Sequence, residues 1–97
     1  MIDFLKQVEI SDENLKLLYK QYSSNDLISL NSNSKECLKI IEFFKMIGIS
    51  NIEELLINEM YVFCKLSNEI VSKFRRYNIT TLVEAINNDY TIIESVI

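Results

Sequence analysis

Residues 49–59 and residues 79–89 carry the same chemistry slot for slot. In each, an isoleucine (Ile49, Ile79) precedes a hydroxyl residue (Ser50, Thr80), and apolar residues then fall at Ile52, Leu55 and Leu56 or at Leu82, Ala85 and Ile86. That i, i+3, i+4 spacing puts each trio on one face of a helix. Ser50 and Thr80 are read as N-caps, whose hydroxyls accept from free amides of the first turn, and Glu53 closes a capping box with Ser50. Gly48 and Asn78 stand just ahead of them, residues that tolerate a left-handed backbone and so end a preceding helix. Asn58-Glu59 and Asn88-Asp89 then lead into the short apolar stretches Met60-Tyr61-Val62-Phe63 and Tyr90-Thr91-Ile92-Ile93.

An earlier Asn25-Asp26, followed by Leu27-Ile28-Ser29-Leu30, has the same shape and suggests a third copy. It opens at Ile10-Ser11, with Ser11 as N-cap and Ile10 stapled to Leu15, and its first helix runs to about Tyr22. Connecting helices are expected from about Lys35 to Ile47, capped by Ser32 or Ser34, and from about Asn68 to Tyr77, capped by Ser67. Their apolar stripes are Cys37, Ile40, Ile41 and Phe44 in the first and Ile70, Val71, Phe74 and Tyr77 in the second. Glu69 and Lys73 form a favourable i, i+4 pair. With a short helix over residues 3–8, the expectation is one all-α domain over residues 1–97. It is a small orthogonal or solenoid-like array of about five to six short helices built from repeated helix pairs. The copies cover residues 10–48, 49–78 and, incompletely, 79–97.

A single glycine and no proline leave little material for the tight turns of a β-rich fold. At 48% apolar and 25% charged residues the chain is globular in composition. The formal charge of −4 repels phosphate and anionic lipid on average. No apolar run approaches the roughly 18 residues of a membrane span, and residues 1–8 lack the pattern of a secretory leader. Cys37 and Cys64 sit in apolar surroundings, which fits a reducing cytoplasm.

The succession Ile40-Ile41-Glu42-Phe43-Phe44-Lys45-Met46-Ile47-Gly48-Ile49-Ser50, then an amphipathic helix, then Asn58-Glu59 and an apolar stretch, resembles the repeat of the mitochondrial transcription termination factor family. The resemblance spans roughly residues 10–93. It implies repeats of two α-helices and a short 3₁₀ turn, stacked into a curved solenoid that binds nucleic acid along a basic concave face. The chain departs from that pattern in having Asp26, Glu59 and Asp89 where the family commonly has proline, and in its acidity. Cys37-Leu38-Lys39 and the later residues 48–55 are more distantly similar to helix-hairpin-helix modules. Those need hairpin glycines to bring amides onto DNA phosphates, and residues 61–67 contain none.

Catalysis has little to work with. There is no histidine to act as a general base near neutral pH and no glycine-rich loop to hold phosphate. No catalytic, metal-binding or cofactor-binding residue is expected, and no cofactor. Cys37 and Cys64 lie far apart in sequence without companions at zinc-ligand spacing, so packing explains them best. Glu53-Glu54 and Asp12-Glu13 complement the dipole at helix first turns, and Phe43, Phe44, Tyr61 and Phe63 read as core aromatics. The apolar residues Tyr90, Ile92, Ile93, Val96 and Ile97 belong to an unfinished copy and must either fold back or meet a partner. The expected role is therefore a non-enzymatic protein–protein interaction module, a small adaptor or inhibitor-like protein with a protein partner or self-association. The alternative is a helical-repeat nucleic-acid-binding protein acting in transcription. Its contacts would be Lys65, Lys73, Arg75 and Arg76, the one local concentration of positive charge.

Overall fold

The computed structural model describes residues 1–97 and is all-α. A 3₁₀ helix η1 (Asp3–Val8) leads into α1 (Asp12–Gln21), α2 (Ser24–Ser32) and α3 (Ser34–Ile47). Then come α4 (Ile52–Asn58), the 3₁₀ helix η2 (Met60–Cys64) and α5 (Ser67–Phe74). The chain closes with α6 (Ile79–Asn88), the 3₁₀ helix η3 (Tyr90–Ile92) and α7 (Ile93–Val96). No helix is long and apolar enough to cross a membrane.

The longest helix, α3, is the axis of the molecule. Its apolar stripe, Cys37, Ile40, Ile41 and Phe44, is buried throughout, and η1, α2, α4, η2, α5 and α6 all lie against it. Phe44 is the centre of an aromatic group: Phe63 of η2 meets it edge-on at 5.6 Å between ring centroids, and Phe74 of α5 lies at 5.3 Å. Such geometry satisfies the ring quadrupoles as well as burying area. One cluster of buried side chains runs from Ile2 to Val96.

The helix boundaries correct several expectations. Gly48 does end α3 with a left-handed backbone (φ 100°), which glycine adopts without steric cost. Asn78 does not; at φ −69° it is extended and is itself the cap of α6, accepting from the Thr81 amide at 3.0 Å. Thr80 therefore lies inside the first turn. Ser50 is likewise no cap: α4 starts after Asn51 without a side-chain cap, and the Ser50 amide donates to Asn87 Oδ1 at 2.9 Å. Ser67 falls inside α5, and neither Ser32 nor Ser34 caps α3. Only Ser11 caps as read, accepting from the Asn14 amide.

Two more differences concern local competition. Residues 25–30 were expected as a break and connector, yet they form α2, because Ser23 caps them through the Asp26 amide and Leu27 and Leu30 turn one face inward. The short helix expected over residues 3–8 is present, as a 3₁₀ helix that ends at Glu9, a non-glycine residue at φ 63°. The helix expected to reach Tyr77 stops at Phe74. Seven α-helices and three 3₁₀ helices thus replace the expected five to six.

Many of the polar groups that sequence assigns to their own helix reach across to another. Glu53 accepts from the Ser11 amide at 2.7 Å, so it completes the capping box of α1, not of α4. Glu36 of α3 accepts from both the amide and the hydroxyl of Ser67 at the start of α5, at 2.9 and 3.1 Å. Asn33 donates to the carbonyls of Phe63 and Lys65, and Asn51 to that of Ile86. Free helix-end groups are satisfied by the neighbouring element.

Candidate functional site

The suspected apolar end folds back. Ile93 is fully buried and Val96 nearly so, while Tyr90, Ile92 and Ile97 pack half-buried on the same core. The four-residue helix α7 turns two apolar side chains inward, and this relieves the exposure that the unfinished copy had implied. In the closed fold Ile93 and Val96 cannot meet a partner.

The cationic group is also reduced. Lys73 Nζ lies 3.4 Å from Glu69 and donates to the Ile97 carbonyl oxygen at 3.4 Å. Lys65 is half-buried. Arg75 and Arg76 remain exposed without an ion pair in the turn that follows α5.

A larger feature was not singled out from sequence. Where the Ser11 amide sits on Glu53, the start of α1 and the outer side of α4 enclose an open groove of about 710 Å³. Ile10, Ile49 and Ile52 form its buried floor, with Val8 and Ile57 half-buried beside them. Glu9, Glu53 and Glu54 line it together with a single cation, Lys45, whose ammonium donates to the Val8 carbonyl at 3.1 Å. Tyr22 and Gln21 fix the far end of the seam, both donating to the Ile57 carbonyl. The groove thus joins an apolar floor to a net negative lining. Its signal in sequence was faint, because Glu53 and Glu54 are already explained by the helix first turn they occupy.

A second cavity, of about 420 Å³, lies where α1, α2 and η2 meet, lined among others by Tyr22, Asp26, Glu59, Tyr61 and Cys64. Glu59 is 6% exposed and is the one charged residue in the buried set. Burial pushes its carboxyl up to about 7, and the Glu94 carboxyl facing it from α7 adds to the effect. Sequence placed Glu59 in the break that leads into a short apolar stretch. The apolar run that follows it, Met60 to Phe63, was the available hint that this corner is buried.

Cys37 and Cys64, distant in sequence, come within electrostatic reach of each other across α3 and η2. Desolvation first, and Cys64 second, push the Cys37 thiol up to about 12. Burial also raises Cys64, with Asp26 adding to it. Both are protonated and poorly nucleophilic at neutral pH. Comparison of the chain with protein-family models, curated proteins and solved structures finds no match.

Proposed function

We propose that the protein is a non-enzymatic protein-binding module, adaptor or inhibitor-like, whose groove between α1 and α4 receives a basic and partly apolar segment of a partner protein. The observation that carries this reading is the combination of the Ile10, Ile49 and Ile52 floor with Glu9, Glu53 and Glu54 around it. An apolar floor supplies affinity through burial. Like-signed charge at the rim speeds encounter with a partner of opposite sign and repels anionic ones. The overall charge of −4 acts in the same direction. The lack of histidine and the protonated thiols support a role without chemistry.

The test uses two synthetic peptides of about a dozen residues, one alternating lysine or arginine with leucine and one in which glutamate replaces the basic residues. The reading expects the basic peptide alone to shift the methyl resonances of Ile10, Ile49 and Ile57, less so as salt rises, with the effect reduced several-fold in Glu54→Lys. Equal response to both peptides, or none at millimolar concentration, would refute it.

A second reading draws on the order of elements. The successions α4–η2–α5 and α6–η3–α7 each place a 3₁₀ helix between two α-helices, as the resemblance to the transcription termination factor repeat implies. On that reading the chain binds nucleic acid, and Arg75 and Arg76 are its free cations. It expects an oligonucleotide to bind at about 50 mM salt, where counterion release is strongly favourable, and to be lost in Arg75→Ala with Arg76→Ala. No binding at that salt eliminates it.

A further inference from the structure

The cavity where α1, α2 and η2 meet carries negative charge that the fold itself does not neutralise. Glu59, more than nine-tenths buried, and the exposed Asp26 both line its 420 Å³. No lysine or arginine lines it, and no ion pair in the chain involves either residue. Tyr22, in the same lining, senses both acids: burial raises its phenol, and the Glu59 and Asp26 carboxyls raise it further. A carboxylate taken out of water needs a cation or several donors. Burial and the Glu94 carboxyl oppose the charged form of Glu59, and only the Tyr61 hydroxyl favours it. The counter-charge that this cavity lacks has to come from outside the chain.

The remaining walls select among cations. Tyr22 is held by the bond from its hydroxyl to the Ile57 carbonyl at 2.6 Å. With Tyr61 it gives the cavity two phenol rings, whose faces attract an organic cation. Met60 adds apolar surface for an alkyl stem. Asn58 gives a side-chain N–H to the Glu54 carbonyl, which leaves its side-chain oxygen as an acceptor at the cavity. Together with the two carboxyls, that oxygen suits a cation bearing several N–H groups, as a primary ammonium does. No three acids or thiols of the chain are grouped as metal ligands. The volume falls within the roughly 300–1,000 Å³ of small-molecule sites.

We propose that this cavity is a binding site for a primary alkylammonium, whose charged head Glu59 and Asp26 take while Tyr22, Tyr61 and Met60 enclose its stem. A free amine and the lysine side chain of a partner protein present the same chemistry. The site shares only Asn58 with the groove and stands whether or not the groove binds a peptide.

The test is a titration of the full chain with n-butylammonium at pH 8, where Glu59 is largely ionised. The Met60 methyl resonance should shift saturably at roughly millimolar concentration, and the shift should persist in Glu54→Lys, which disables the groove. Butanol keeps the stem without the charge, and tetramethylammonium keeps the charge without the N–H groups. Each should bind about tenfold more weakly. Glu59→Gln should weaken butylammonium binding about tenfold, and Asp26→Asn a few-fold. Absence of a saturable shift, butanol binding as tightly as butylammonium, or unchanged affinity in Asp26→Asn overturns the site. Asp26 is exposed and serves the Ser23 cap through its backbone amide, so its variant decides the matter even if Glu59→Gln does not fold. Two further ligands identify the source. Tighter binding of 1,4-diaminobutane assigns the site to a free amine, and tighter binding of a capped lysine amide assigns it to a partner's side chain.

Discussion

Glu36 and Glu59 are both carboxyl groups at a seam between two elements, and the seams treat them in opposite ways. Where α5 begins against α3, the Ser67 amide holds the Glu36 carboxyl below its usual range, with the Lys39 ammonium at 3.2 Å and the Ser67 hydroxyl assisting. At the corner between α4 and η2, burial first and the Glu94 carboxyl second raise Glu59 to about 7. The difference is the supply of donors. A helix start offers free N–H groups to a carboxylate, while Glu59 has only the Tyr61 hydroxyl to favour its charged form against burial and a second carboxyl.

The two seams therefore respond to pH with opposite sign. The folded value of Glu36 lies below its ordinary 4.5, so its contribution is present above that pH and is lost as pH falls through the folded value. For Glu59 the folded state holds its proton more tightly than the unfolded chain does. The penalty is absent below about 4.5, grows as pH rises and is complete above about 7. Stability is greatest on the acid side of neutrality.

The comparison can be broken most forcefully at the residue both seams share. Phe44 touches Phe63 of η2 and Phe74 of α5, and Phe44→Ala should cost about 3–5 kcal/mol in chemical denaturation. Both seams should loosen together; loss of one alone would show that they are not coupled through this ring. Glu59→Gln sharpens the contrast. It should raise stability by about 2 kcal/mol at pH 8, where wild type carries a buried charge, and change it little at pH 5. Equal effects at the two pH values would remove the basis for a neutral Glu59. Asn33→Ala, which leaves the Phe63 and Lys65 carbonyls without their shared donor, should cost about 1 kcal/mol. Its loss should be independent of pH, since no charge is involved.

What sequence made legible was periodicity. The apolar stripes of α3, α4 and α6, the stop at Gly48 and the breaks at Asn58 and Asn88 all depend on residues within one or two turns, and they stand in the fold much as read. Caps were less legible, because a hydroxyl or carboxylate near a helix start can serve its own helix or a neighbour's. The Glu53 carboxylate and the Ser67 hydroxyl each went across. The candidate sites were least legible. The groove needs η1, α1 and α4 to meet, and the cavity beside Glu59 needs α1, α2 and η2 to do so. Whether Ile93 and Val96 fold back or meet a partner stays open in the sequence for the same reason: the spacing shows an apolar face without showing what covers it.

The most direct measurement is a site-resolved ¹³C titration of the Glu36 and Glu59 carboxyl groups in one sample of the intact chain. The structure predicts a midpoint of about 7 for Glu59 and one below 4.5 for Glu36. Two midpoints lying together near 4.5 would contradict it.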